Sequence, residues 1–225
     1  MEHITTIPNF KEWLSSLGTL YTINAQVKPD GIEICQADTA NICFVHITNK
    51  MICSKEIVLQ FDVNELKSIK GDVAELNIDG NKVVFKCGST KYTLPITCDP
   101  TIKTKESLPI KWPHEVVNLT IENVKEIYDI AKNEKEYAFN LKNHIITVDD
   151  CVKDKLATCV EFECPNDGEL YTKVKGDYLK DIFTSYKAYT THQMLLGNNT
   201  PLGFIFSSEN LNAKYLISPM IEPQN

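Results

Sequence analysis

The chain contains no arginine; all 23 of its cationic side chains are lysine. Arginine supplies the rigid fork that reads guanine edges and grips carboxylates, whereas lysine is a mobile point charge. A chain so equipped is better suited to feel phosphates than to read bases. No apolar run approaches the roughly 18 residues needed to span a bilayer, so no membrane association is expected. The first residues, Met1-Glu-His-Ile-Thr-Thr-Ile-Pro8, lack the charged-then-apolar layout of a signal peptide, and an intracellular protein is expected. None of the eight cysteines (35, 43, 53, 87, 98, 151, 159, 164) forms a C-x-x-C pair. Most sit in apolar or alternating runs such as Ile42-Cys-Phe-Val45. They read as reduced, half-buried strand cysteines rather than as a disulfide or metal framework.

The motifs that carry chemistry are missing too. The five histidines (3, 46, 114, 144, 192) are scattered, and none stands at metal-ligand spacing from another or from a cysteine. There is no G-x-S-x-G, no P-loop and no dinucleotide fingerprint. Asp149-Asp150 is an acidic pair, but adjacent residues on a strand point to opposite faces. The expectation is a protein that is not an enzyme, with no catalytic residue, metal or cofactor. A site assembled from distant residues is the enzymatic route left open.

What is present is ordinary globular material. At 225 residues the chain can bury a sizeable core, as one large domain or two small ones. The net charge of −7 argues against a generally basic nucleic-acid binder, yet total charge and its distribution are separate quantities.

Periodicity divides the chain into two similar halves. In the first, Phe10, Trp13, Leu14 and Leu17 fall at i, i+3, i+4 and i+7, one apolar helical face with Asn9 as N-cap. Strand runs cover Tyr21 to Val27 and Ile32 to Thr48, divided by the turn Lys28-Pro-Asp-Gly31. A second helix fits Asp62 to Lys70, with Asp62 and Glu65 as a capping box and Gly71 at C′. Strands follow at 73–78, 82–86 and 91–97, with Asp79-Gly-Asn81 as a hairpin turn. Residues 99–113 carry three prolines and break both periods, which reads as an extended connector. The second half repeats the order: a strand at 115–119, a helix from Thr120 to about Lys132, strands at 137–141, 145–148 and 156–163, and a helix from Asp177 to about Ala188. Two closing strands follow Leu196. The pattern predicts α+β architecture, two domains of one plan at 1–98 and 114–225 joined by the connector at 99–113.

Gly31-Ile-Glu-Ile-Cys-Gln-Ala-Asp38, Tyr178-Leu-Lys-Asp-Ile182 and Lys214-Tyr-Leu-Ile-Ser-Pro219-Met-Ile-Glu222 together resemble the proliferating cell nuclear antigen (PCNA) family of DNA sliding clamps in its archaeal or viral-like, divergent form. Gly31-Ile-Glu-Ile-Cys-Gln-Ala-Asp38, followed by small residues and an apolar strand, is similar to the clamp strand-loop-strand. Tyr178-Leu-Lys-Asp-Ile182, Lys187-Ala188 and Leu196-Gly-Asn-Asn-Thr-Pro201 resemble the last helix and its hairpin. Lys214-Tyr-Leu-Ile-Ser-Pro219-Met-Ile-Glu222 resembles the clamp tail, with Leu216 where a second aromatic is usual. Ala37 stands where the family often has a large apolar residue.

The resemblance implies a DNA-clamp fold and a processivity factor. A homotrimeric ring would encircle double-stranded DNA without reading sequence and tether DNA polymerase, a clamp loader and other replication and repair proteins. A monomeric or heteromeric clamp-like adaptor that does not encircle DNA is the alternative. Carried onto this chain, the DNA-facing residues are Lys11, Lys67, Lys70, Lys125, Lys132, Lys180 and Lys187; periodicity alone describes the same lysines as ordinary solvated helix faces. The implied partner groove comprises Ala37, Asn41, Ile42, Ile102, Leu108, Ile110, Pro201, Leu216, Ile217, Ser218 and Pro219. Any one of these can be read as core packing, and Ile42 is better read so, whereas an exposed connector has little reason to carry Leu108, Ile110 and Trp112. The implied ring-closing edges are Thr90 to Cys98 and Lys155 to Cys164, which could also be internal strands of a monomer.

Overall fold

The computed structural model describes residues 1–96, 113, 115–131, 136–151 and 159–220. Its first half runs β1 (Glu2–Ile7), α1 (Phe10–Ser15), β2 (Thr22–Lys28), β3 (Gly31–Ala37), β4 (Cys43–Lys50), β5 (Ile57–Asp62), α2 (Val63–Ser68), β6 (Ala74–Asp79), β7 (Lys82–Cys87) and β8 (Thr90–Pro95). The second half runs β9 (Glu115–Leu119), α3 (Ile121–Ala131), β10 (Glu136–Lys142), β11 (Ile145–Asp150), β12 (Cys159–Glu163) and β13 (Leu170–Lys175). It closes with α4 (Gly176–Phe183), one 3-10 turn (Tyr186–Ala188), β14 (Thr191–Leu196), β15 (Leu202–Ser207) and β16 (Leu211–Ile217). Each half is thus strand, helix, four strands, helix, three strands, which is the repeated α+β plan expected from periodicity.

The pairing repeats as well. In the first half the first, sixth, seventh and eighth strands form one sheet, β1-β6-β7-β8. The fifth, second, third and fourth form another, β5-β2-β3-β4. The second half gives β9-β14-β15-β16 and β13-β10-β11-β12 in the same way. Two of these four sheets are fused, because β4 pairs antiparallel with β16 from Asn49–Leu211 to Cys43–Ile217. A continuous eight-stranded sheet therefore crosses both halves, flanked by a separate four-stranded sheet from each.

The helices lay their apolar stripes on this framework. Phe10 of α1 stacks on Phe85 of β7 with centroids 5.5 Å apart, and Phe183 of α4 meets Phe204 of β15 edge-on at 4.8 Å. A buried polar chain joins the halves: the Tyr215 hydroxyl donates to the Ser16 carbonyl (2.9 Å), and the Ser16 and Tyr189 hydroxyls are bonded at 2.5 Å. A second link is Asp38, whose Oδ1 accepts from the Ile42 and Cys43 amides and whose Oδ2 accepts from the Tyr178 hydroxyl at 2.8 Å. Burial, with Asp38 beside it, pushes the Tyr178 phenol up. Tyr178→Phe removes one charge-assisted bond and is expected to cost about 1.5–3 kcal/mol, read as a lower denaturant midpoint with an unchanged slope.

Local departures from the sequence reading have physical causes. β1, β5, β13 and β14 were not anticipated as strands. In β1 a register shift between His3 and Thr5 leaves Ile4 and Thr5 both buried, which breaks the period of two. β13 and β14 carry lysine, threonine, histidine and glutamine that mask their alternation. Asn9 occupies the N-cap of α1 without capping it; its Oδ1 accepts from Asn49 Nδ2 instead. Asp62 does cap α2, accepting from the amides of Asn64 and Glu65. After α2 the chain turns extended at Ile69, so Gly71 is no C′ glycine. A Cβ there would lie 2.8 Å from that of Cys87. Helix α4 stops at Phe183, short of the expected Ala188. The Thr184 hydroxyl donates to the Lys180 carbonyl and that of Ser185 to the Ile182 carbonyl, diverting the last turn.

No disulfide joins the cysteines among the described residues, and Cys98 lies outside them. Burial pushes up the thiols of Cys35, Cys53, Cys87 and Cys151, that of Cys43 to about 12 and that of Cys159 to about 11. No helix among the described residues is long and apolar enough to cross a membrane.

Candidate nucleic-acid and partner surfaces

Three surfaces bear on the sequence expectations. The first is the helix layer. Lys11, Lys67, Lys70, Lys125 and Lys187 are exposed, Lys180 is half-buried, and Lys132 lies outside the described residues. Helices α1, α2 and α4 together wall a cleft of about 490 Å³ that brings Lys11, Lys67 and Lys70 into one place with Asp72 and Asp181. Burial pushes the Asp181 carboxyl up, against the pull of Lys67 and Lys180. Lys187 does not share a helical stripe with Lys180, because α4 has already ended; its ammonium lies 5.7 Å from the centre of the Tyr186 ring. Within the four helices, four lysines face seven carboxylates. The layer is therefore not a basic surface as a whole.

The second surface is the face of the eight-stranded sheet turned away from the helices. Register places Ala37, Phe44, Leu216, Gly203, Leu195 and Val116 in one row across six strands. Phe44, Leu216 and Leu195 are buried there, while Val116 is 46% exposed. A Cβ on Gly203 would meet Leu195 at 2.9 Å and Leu216 at 3.0 Å, so glycine lets these two leucines close over the strand.

Of the expected groove residues, Ala37 and Leu216 share this row. Ile217 does not, because successive strand residues point oppositely: it is fully buried in the core with Cys43 and Leu202. Leu216 is itself only 3% exposed, so it is a floor and not a rim. Asn41 is exposed in a left-handed turn (φ 55°). The Ser218 amide donates to the Ile42 carbonyl at 2.8 Å, which brings loop and tail together. Pro201 adjoins them one step beyond the Leu202–Ile217 pair, and Pro219 is half-buried. Ile102, Leu108 and Ile110 lie outside the described residues. Phe44, Leu195, Gly203 and Val116 were not identified from sequence; the signal was the alternation within their own strands, each standing out of phase with a core residue.

The third surface is a pair of strand edges. β8 and β12 are outermost in their sheets. The Cys164 amide donates to the His144 carbonyl (2.7 Å). By the alternation of an antiparallel ladder, Val160 and Phe162 then face β11 with their backbone groups, and Glu161 and Glu163 aim theirs outward. The Ile96 amide donates to the Asn81 carbonyl (2.9 Å), so on β8 the outward residues are Lys91, Thr93 and Pro95. The opposite edges are covered. Ser54 donates its amide to Ile4 and its hydroxyl to His3 on β1, and Met220 and Asn199 donate to Lys173 and Tyr171 on β13. No backbone hydrogen bond between described residues reaches the outward groups of β8 or β12.

Comparison with known proteins agrees with this architecture. No protein-family model and no curated protein matches the chain. Solved structures do. The A. fulgidus PCNA bound to the C-terminal region of FEN-1 superposes with a TM-score of 0.81 at 19% identity, covering 99% of this chain and 100% of that one. Entamoeba histolytica PCNA gives 0.78 at 14% identity over 97% and 99%. The PCNA2-PCNA3 complex of Sulfolobus tokodaii gives 0.76 at 17% over 97% and 100%. The fold is that of a DNA sliding clamp. Within that class its two-half plan matches that of the PCNA structures over 97–99% of the chain.

Proposed function

We propose that this chain is a sliding clamp: a non-enzymatic ring that encircles duplex DNA and holds DNA polymerase and other replication and repair proteins to it. The clamp domains would be residues 1–98 and 114–225, with 99–113 as their connector. One observation carries the reading. Inside the chain, the fourth strand of the first half pairs with the eighth strand of the second, β4 with β16. The same two strand positions are left open elsewhere, as β12 and β8. Pairing β12 of one copy with β8 of the next repeats the internal junction. A head-to-tail contact of this kind closes into a ring. Charge supports the direction, since Lys91 stands on one edge and Glu161 and Glu163 on the other. Partners would dock on the outer row and the tail beside it, and the C-terminal peptide of FEN-1, bound by the A. fulgidus clamp, is a suitable probe. Native mass spectrometry at micromolar concentration is expected to show a trimer. A mass of one chain would remove the ring.

A second reading has its own support. The excess of carboxylates over lysines on the helices favours a clamp-like adaptor, monomeric or heteromeric, that regulates replication proteins without encircling DNA. Retention on circular but not on linear duplex distinguishes the two, because only a closed ring is released at a free end.

A further inference from the structure

The lysines of the helix layer are not equivalent. Side chains three and four positions apart on a helix are neighbours, so a carboxylate at that spacing offsets a lysine locally. Lys125 has Glu122 three residues before it, Asp129 four after it and Glu126 beside it. Lys180 has Asp177 three before it. Lys11 has Glu12 beside it but only Leu14 and Ser15 one turn on. Lys67 has Val63 and Asn64 one turn back and Lys70 ahead. Lys11, Lys67 and Lys70 are also the three lysines that line the cleft of α1, α2 and α4, where they outnumber its two carboxylates, Asp72 and Asp181. Screening restricts each field to about 8 Å at physiological salt, so these local balances decide what a phosphate meets.

We propose that each subunit touches the DNA backbone through its first half alone. Lys11, Lys67 and Lys70 meet phosphates at the mouth of this cleft, while Glu122, Glu126 and Asp129 of α3 and Asp177 of α4 hold the backbone off the second half. The inference rests on the clamp reading above. It assigns the protein an uneven inner wall, with one contact patch per subunit instead of two. Weak, one-sided contact suits a ring whose retention is topological.

The test is a salt titration of the assembled full chain against a fluorescent blunt-ended DNA duplex. Each phosphate contact adds about 0.9 to the slope of log affinity against log salt. Lys67→Gln with Lys70→Gln should lower that slope by roughly 1.8 for each subunit in contact with the duplex. Lys125→Gln with Lys180→Gln should leave it unchanged. Glu122→Gln with Glu126→Gln should raise low-salt affinity and steepen the slope, a gain that no loss of structure would produce. A second-half lysine pair that lowers the slope as much as the first-half pair overturns the inference while leaving the clamp reading intact. A wild-type chain with no salt-dependent affinity overturns the inference, and retention on circular duplex then decides the clamp reading separately.

Discussion

Glu161→Pro is expected to convert the proposed trimeric ring to monomers at micromolar concentration while leaving the monomer folded. Glu161 is exposed on β12, and its backbone amide points away from β11. Proline is tolerated on an edge strand when its missing donor faces outward. The β10–β11–β12 ladder therefore survives. The proposed contact with β8 loses one donor, leaves a partner carbonyl unpaired, and meets a ring where strand pairing needs a flat approach. An unpaired buried backbone group costs about 1–3 kcal/mol. That is roughly 5- to 150-fold per contact, and every contact of the ring is weakened alike. The measurement is native mass alongside circular dichroism. A trimer that persists would remove β12 from the interface and with it the repeat argument. Val160→Pro is the control: it breaks the inward ladder and should lower stability whether or not a ring forms.

How much of this was legible in the sequence depended on which force set each element. Helix α3 and strand β9 follow from local pattern, with Val124 and Ile127 one turn apart and Thr120 and Asn123 bonded to each other at the helix entry. The hairpin at Gly80 follows from turn chemistry, its φ of +59° being one glycine adopts freely. The open edges β8 and β12 were placed correctly, but nothing local says whether an edge is covered. That depends on Ser54 and Met220, far away in sequence from the strands they cap. The outer row was legible only in part, because alternation sets its residues out of phase with core neighbours without saying which phase faces the core. Leu216 and Ile217 look alike in a tail of apolar residues, and only the register with Phe44 and Cys43 assigns them to opposite faces. Lys187 does not follow Lys180 on one helical face because two hydroxyl side chains, Thr184 and Ser185, end the helix early.

The partner surface yields the last large effect, and the two ends of its apolar row should behave differently. Val116→Glu is expected to abolish binding of the FEN-1 C-terminal peptide, with thermal stability unchanged. Val116 is 46% exposed at the open end of the row, so a carboxylate there stays solvated in the free protein. A docked apolar anchor would have to desolvate it without a partner, at a cost of several kcal/mol and hence at least a hundredfold in affinity. Leu216→Glu would instead place the carboxylate under Phe44 and beside Leu195, where it is buried from the outset. That variant should unfold at markedly lower denaturant, so its loss of binding would carry no information about docking. Leu216→Ala, costing about 2–5 kcal/mol of stability through the cavity it leaves, separates the floor of the row from its rim. Peptide titration by fluorescence anisotropy, paired with a melting curve for each variant, reads both effects. If Val116→Glu binds like the wild type, docking must occur elsewhere, and the exposed valine is only the solvent-facing side of an edge strand.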